Sequence, residues 1–129
     1  MRLVDITSFF SDSCGGIRTY YREKARFLPD LGIDCHFVVP GERDEEQPFG
    51  RAVLHRLAGP RLPGNGHYRL FGRRQKVAAL LRRLRPDVVE VGSHYLLPRW
   101  VTDALADMHP RPAVVGFFHS DIPARWCSR

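Results

Sequence analysis

The stretch "RLVDITSFFSDSCGGIRTYYREKARFL" (residues 2–28) is the most informative part of the sequence about the fold, because it passes from a strand pattern to a helix pattern through a glycine pair. The apolar run at 2–6 predicts a short strand, and apolar residues at helical spacing predict a helix over 16–28. Gly15 and Gly16 stand where the two patterns meet. Glycines there let a ligand approach the backbone, and free N–H groups at a helix start favour an anion such as phosphate.

The rest of the chain alternates in the same way. The pattern predicts strands at 33–40, 51–58, 87–92 and 112–119 and helices at 72–84 and 97–108. The acidic segment 41–50 and the Gly/Pro-rich segment 59–66 are interpreted as loops. Strands that alternate with helices favour the α/β class, here a Rossmann-like, doubly wound parallel sheet that is incomplete.

Three polar turns follow strands that this topology brings together. They are 13–16 after the first strand, 92–95 after the fourth predicted strand and 119–121 after the last. In the usual order of a doubly wound sheet the first and fourth strands are neighbours, and ligands bind beyond their carboxyl ends. The three turns are therefore predicted to meet at one crevice.

Length and composition limit the class of protein. A chain of 129 residues with 43% hydrophobic and 26% charged residues is expected to form one globular domain. No apolar run approaches the ~18 residues of a membrane span, and the start does not read as a signal peptide. The three cysteines have no metal-ligand spacing, which favours free thiols in a reducing cytoplasm.

The glycine turn does not fit two common nucleotide-binding motifs. No acidic residue ends the second predicted strand in a position to hold a ribose, which disfavours a nicotinamide cofactor. The turn also lacks the GK[ST] of a triphosphate-binding loop. A tight turn without a ligand remains open at this stage.

Basic charge is concentrated in one segment. The net charge is +6, and "RLFGRRQKVAALLRRLR" (69–85) carries seven basic residues and no acid. On a helical wheel the apolar residues of this segment share one face; Lys76, Arg82 and Arg83 lie away from that face, and Arg74 and Arg85 flank it. Two interpretations stay open, namely a solvated face of a core-packed helix and a surface that binds an anionic membrane. Nucleic-acid binding is disfavoured, because the segment lacks a recognised motif or aromatic stacking spacing.

Lys24 falls on the apolar face of the first predicted helix. The interpretation is a side chain whose stem is buried and whose ammonium group reaches water.

The ordered set of motifs resembles a known family. "GGIRTYYREKARFLPDLGIDCHFVVPG", "LPGNGHYRL", "RPDVVEVGSHYLLPRW" and "GFFHSDIP" together resemble the amino-terminal domain of family-4 retaining glycosyltransferases, which have the two-domain GT-B architecture. The resemblance covers nearly the whole chain. It implies a domain that supplies the acceptor side of the site and reaches the donor diphosphate with its glycine-rich turn.

The resemblance also implies roles for individual residues. His119 matches the family's histidine beside the transferred sugar and is expected to be catalytic, and Gly15 and Gly16 match the diphosphate-binding turn. The expected acceptor-side residues are Tyr68, Arg69, Glu90, Ser93, His94, Tyr95 and Asp121. The implied partners are a nucleotide-sugar donor and a sugar or lipid-linked acceptor, with no metal and no cofactor.

The chain also departs from the family pattern. It ends ten residues after His119, whereas the family has a second domain that binds the nucleotide sugar. We therefore expect residues 1–129 to be a truncated amino-terminal domain that is inactive alone, located in the cytoplasm or at the inner membrane face. The alternatives are a non-catalytic remnant and a basic module that binds nucleic acid or a membrane surface.

Overall fold

The structure is a computed structural model that describes residues 1–8, 15–62, 65–92 and 96–116. Its helices are Gly15–Phe27 (α1), Arg74–Leu84 (α2) and Leu97–Leu105 (α3). Its strands are Arg2–Ile6 (β1), Asp34–Gly41 (β2), Glu45–Phe49 (β3), Ala52–Ala58 (β4), Arg61–Leu62 (β5), Asn65–Arg69 (β6), Val88–Val91 (β7) and Ala113–Gly116 (β8).

Six of the strands form one sheet in the order β3-β4-β2-β1-β7-β8. All neighbouring pairs are parallel except β3 and β4, which are antiparallel. β1 and β7 correspond to the first and fourth predicted strands, and they are neighbours as predicted. The α/β Rossmann-like class is therefore confirmed, with the switch point between β1 and β7.

Helices cover both faces of this sheet. α1 packs on one face, where the Tyr21 ring stacks on Phe37 with the ring centroids 4.1 Å apart. α2 and α3 pack on the other face with Val38 and the apolar residues of β1 and β7. Because successive side chains of a strand point to opposite faces, Phe37 and Val38 of β2 belong to different clusters. The Cys35 thiol lies beneath α1, and burial raises its pKa to about 12.

Two segments that were predicted as loops contain strands, so those predictions were wrong. Residues 45–49 form the edge strand β3, and the Gly/Pro-rich segment contributes the small β5–β6 hairpin. Glu45 and Glu46 look like a solvated acidic run in the sequence, but each has a basic or imidazole partner across the sheet or on α2. Pro48 is tolerated because β3 is at the sheet edge.

The helix and strand ends differ from the predictions by a few residues. α1 ends at Phe27 and is followed by a single 3-10 turn over Leu28–Leu31, after which Gly32 adopts a φ of 76°. Glycine adopts that conformation without strain, so the chain can turn there. The last predicted strand is described as far as Gly116, and residues 117–119 lie outside the described part.

Candidate functional site

The candidate site lies where β1 and β7 end side by side. The Gly92 N–H donates to the Ile6 carbonyl at 2.9 Å, and the Thr7 N–H donates to the Val38 carbonyl at 3.1 Å. The buried Thr7 hydroxyl reaches the Gly92 carbonyl at 3.5 Å. These bonds hold the carboxyl ends of three neighbouring strands together at the switch point.

The start of α1 lies at the same end of the sheet, where the parallel strands have their carboxyl ends. A side chain at Gly50 would meet the Cβ of Ala25 at 3.4 Å, so the last part of α1 lies where β4 begins. The start of α1 therefore lies at the other end of these strands, which is their carboxyl end. Gly15 and Gly16 are its first two residues, as the sequence predicted. The first N–H groups of a helix have no partner within the helix, and its dipole makes this end partially positive.

The other predicted site residues fall into two groups. Ser93, His94, Tyr95, His119 and Asp121 lie outside the described residues. The backbones of Tyr68 and Arg69 belong to β6, and Glu90 belongs to β7. The Arg69 guanidinium donates to the Gly59 carbonyl at 2.9 Å, so this side chain closes the base of the β5–β6 hairpin.

A buried ionic cluster near the ends of β1 and β7 was not predicted. It consists of Asp5, Tyr20, Tyr21, Lys24 and Glu90 and is called the Lys24 cluster below. The Lys24 ammonium lies 2.7 Å from Asp5 Oδ2 and also pairs with the Glu90 carboxylate. The Tyr21 hydroxyl donates to Asp5 Oδ1 at 2.9 Å, and the Tyr20 hydroxyl donates to Glu90 Oε1 at 3.2 Å. The interpretation that the Lys24 ammonium reaches water was therefore wrong.

Register and helical spacing explain how these side chains meet. Asp5 of β1 lies directly opposite Glu90 of β7, and paired residues of parallel strands point to the same face. Lys24 lies three and four residues after Tyr21 and Tyr20, so the three share the face of α1 that covers these strands. The sequence did carry a signal for the cluster, namely single charged residues within the apolar strand and helix patterns.

Burial sets the protonation behaviour of the cluster. It raises the pKa of Asp5 to about 7, although Lys24 acts in the opposite direction. Burial alone lowers the pKa of Lys24, but the nearby Asp5 and Glu90 carboxylates outweigh it and the net shift is upward. Lys24 therefore stays charged, and Asp5 is the group of the cluster that titrates near neutral pH.

The cluster fastens α1 to β1 and β7. Lys24 lies nine residues after Gly15, which is about 13 Å along a helix, so its ammonium is too far away to touch a group at the start of α1. Its contribution is to hold the helix axis in place relative to the two strands that end at the crevice.

The basic helix α2 packs as its pattern predicts. Val77, Leu80, Leu81 and Leu84 are buried. Lys76 lies 2.8 Å from Asp44 Oδ2, and Arg83 pairs with Glu46, so the acidic segment before and within β3 neutralises two of the bases. Within the described part of the chain, the other three basic side chains are exposed and have no ion pair: Arg74, Arg82 and Arg85.

Two structural features were not found among the described residues. They contain no group of three metal-ligating side chains arranged to hold an ion. Over the same ranges, no helix has the length and apolar character that a membrane span requires.

A parallel sheet with a glycine-opened helix at its switch point is the arrangement of α/β domains that handle nucleotides and phosphates. The model of Glycosyltransferase Family 4 matches residues 14–129. The chain belongs to glycosyltransferase family 4.

Individual relatives give a more specific comparison than the family model. The chain is 30% identical over 98 residues to the GDP-mannose-dependent alpha-(1-6)-phosphatidylinositol dimannoside mannosyltransferase of two strains of Mycobacterium tuberculosis. The match covers 75% of this chain and 26% of each relative, so the aligned part spans about a quarter of their length. No solved structure matches the chain.

Proposed function

We propose that this chain is the acceptor-side domain of a retaining glycosyltransferase, in which the Gly15–Gly16 turn receives the diphosphate of a nucleotide-sugar donor. The observation that carries the proposal is the opening of α1 with two glycines at the edge where β1 and β7 end together. Backbone N–H groups at such a helix start stabilise the negative charge that develops on a leaving diphosphate. The Lys24 cluster supports this role, because it keeps α1 in one position relative to the two strands.

The remaining roles follow the family resemblance. His119 is proposed to act at the transferred sugar, with Ser93, His94, Tyr95 and Asp121 on the acceptor side of the crevice. Tyr68, Arg69 and Glu90 are proposed for the same side. For Glu90, an acceptor contact would have to coexist with its bonds to Lys24 and Tyr20, which already engage both carboxylate oxygens.

The relatives suggest which substrates to test first. Their name states that they use GDP-mannose and act on a phosphatidylinositol dimannoside. We therefore propose a hexose, with mannose from GDP-mannose as the first candidate, and a lipid-linked sugar as the acceptor class. This choice depends on 30% identity over 98 residues and is a guide to the assay.

The proposal is tested in a chimera in which this chain replaces the matching segment of the Mycobacterium tuberculosis relative. Transfer is measured with GDP-mannose and a phosphatidylinositol mannoside acceptor, for the parent chimera and for Gly16→Val. A side chain at Gly16 would hold the diphosphate away from the N–H groups, and loss of one such donor costs about 10²–10³ in rate. The matched control is Thr19→Val, an exposed position on the same helix.

Two outcomes would contradict the proposal. Equal transfer by Gly16→Val and the parent chimera would return the glycine pair to a plain turn. A folded parent chimera without transfer from any nucleotide sugar of a panel would favour the non-catalytic alternative.

A second proposal concerns the surface of α2. The exposed Arg74, Arg82 and Arg85 have no ion pair in the described part of the chain, and we propose that they attach the domain peripherally to an anionic membrane at the cytoplasmic face. Each basic side chain near such a surface contributes on the order of 1 kcal/mol, and less as salt rises. The apolar face of α2 is committed to the core, so the attachment would be electrostatic.

A further inference from the structure

A pair of buried histidines lies on the sheet face that α2 covers. His36 of β2 and His55 of β4 place Nδ1 and Nε2, respectively, 2.9 Å apart, and their ring centroids are 5.2 Å apart. The side chain of His36 is 11% exposed and that of His55 is 4% exposed. One ring nitrogen of each histidine is therefore used in a bond to the other ring.

A carboxylate stands at each outer nitrogen of the pair. His36 Nε2 lies 3.2 Å from Asp34 Oδ1, and His55 Nδ1 lies 3.3 Å from Glu46 Oε1. The angles are not those of hydrogen bonds, so both buried nitrogens lack a hydrogen-bond partner in this geometry. Both distances lie close to the range of N–H···O hydrogen bonds, so the angles are what separate these contacts from hydrogen bonds.

Charged groups from β1, β2, β3 and α2 lie beside the pair. Arg2 of β1 lies 2.8 Å from the second oxygen of Asp34, which belongs to β2. Arg83 of α2 pairs with Glu46 of β3. The pair is thus the centre of a row in which an arginine and a carboxylate stand on either side.

The contacts of this row determine how many protons the two rings must carry. Three contacts have to be made, one between the rings and one to each carboxylate, and each needs an N–H. Two neutral imidazoles carry two N–H groups, so one nitrogen lone pair would face a carboxylate. One additional proton satisfies all three contacts. A second additional proton would set two N–H groups against each other across the contact between the rings.

We propose that the His36–His55 pair binds one proton, with His36 as the imidazolium and His55 as the neutral ring, so that the pair donates to Asp34 of β2 and to Glu46 of the edge strand β3 at the same time. His36 is the less buried ring, so the charge is less costly there. Burial lowers the pKa of His55 and a charged His36 lowers it further, while Glu46 acts in the opposite direction. The neutral His55 then donates Nδ1–H to Glu46 and links β4 to β3.

The experiment is a titration of the full chain between pH 5 and 9, with ¹⁵N detection of the histidine ring nitrogens. We expect the pair to bind two protons in separate steps as the pH falls from 9. After the first step, both nitrogens of His36 carry a proton and His55 is still in the neutral Nδ1–H form. The exposed His109 provides a reference within the same sample.

Two neighbouring residues of β3 supply a matched pair of variants. Glu46→Gln removes the carboxylate beside His55, and we expect the first step to move to lower pH by about 0.5–1 unit. Glu45→Gln makes the same chemical change at the next residue, whose carboxylate approaches Arg56 at 3.4 Å, and should leave both steps in place.

Three results would overturn the proposal. They are two neutral rings throughout the range, two imidazolium rings between the steps, and equal displacement of the first step in Glu46→Gln and Glu45→Gln. If Glu46→Gln fails to fold, the protonation of the two rings in the parent chain still decides between one shared proton and none.

Discussion

Asp5 and Glu90 lie opposite each other on β1 and β7, and a single ammonium group, that of Lys24, serves both carboxylates. Lys24 is separated in sequence by 19 residues from Asp5 and by 66 from Glu90. The two carboxylates exceed the one positive charge, and Tyr20 and Tyr21 supply the remaining hydrogen bonds. The cluster therefore joins one helix to the two strands that border the candidate crevice.

Replacing Lys24 should destabilise the fold strongly. Lys24→Met leaves two buried carboxylates without their cation, which typically costs about 3–5 kcal/mol in the free energy of unfolding. Urea denaturation measures the loss. Lys76→Met is the matched control, because Lys76 pairs with the exposed Asp44 and such a pair contributes about 0–1 kcal/mol. Equal losses in the two variants would show that the buried cluster contributes no more to the free energy of unfolding than the exposed Lys76–Asp44 pair.

The stability of the chain should depend on the protonation of Asp5. Its pKa rises from 3.8 in the ordinary state to about 7 in the fold, so the folded state binds the proton more tightly. The stabilisation is complete below about pH 4 and is lost as the pH rises towards 7. Asp5→Asn cannot titrate, so the stability of the variant relative to the parent should increase across this window, by on the order of 4 kcal/mol.

Unfolding midpoints of the parent and Asp5→Asn chains between pH 4 and 8 test this prediction. Other titrating groups are common to both chains and cancel in the difference. Asp30→Asn is the control, because hydrogen bonding to Arg51 lowers the pKa of Asp30. The stabilisation by Asp30 is lost only as the pH falls below the ordinary range of a carboxyl group. The difference in unfolding midpoint between Asp30→Asn and the parent should therefore stay constant between pH 5 and 8. A flat difference for Asp5→Asn would contradict the prediction.

Removing the Tyr21 hydroxyl should act on stability and on titration together. Tyr21→Phe deletes a buried donor to Asp5 and should cost about 1–3 kcal/mol. Because that hydrogen bond lowers the pKa of Asp5, its loss should move the pH window of Asp5 upwards. Tyr20→Phe, which removes a partly exposed donor to Glu90, should have the smaller effect on both measurements. An unchanged Asp5 window in Tyr21→Phe would exclude the proposed coupling.

The proposed membrane surface can be tested with two adjacent arginines. Arg82→Gln removes a charge without an ion pair in the described residues, whereas Arg83→Gln removes a charge that Glu46 already neutralises. Each variant loses one positive charge, but binding to phosphatidylglycerol vesicles should fall about fivefold for Arg82→Gln and less for Arg83→Gln. Co-sedimentation at two salt concentrations measures both.

Oligonucleotide binding has to be measured in parallel, since it shares the salt dependence of membrane attachment. Tight binding to a duplex or a single strand, with none to vesicles, would favour the nucleic-acid alternative. Equal vesicle binding by the parent, Arg82→Gln and Arg83→Gln would remove the membrane role.

Much of the fold could be predicted from local pattern. Helical periodicity predicted α1 and α2, and apolar runs located the five parallel strands. The alternation of these elements was sufficient to predict that β1 and β7 would be neighbours. The glycine pair at the start of α1 was also visible in the sequence, because a turn that needs glycine can be recognised from the residue type alone.

Local patterns in the chain were enough to predict the class of fold, the neighbouring positions of β1 and β7 and the position of the glycine turn. Packing between distant segments established that residues 45–49 are a strand, that Lys24 lies between Asp5 and Glu90, and that His36 contacts His55. Periodicity depends on neighbours within one turn or one strand, and a single chain displays it directly. An ion pair or a shared proton depends on strand register and on which helix face covers the sheet, and those are established only when distant segments pack together.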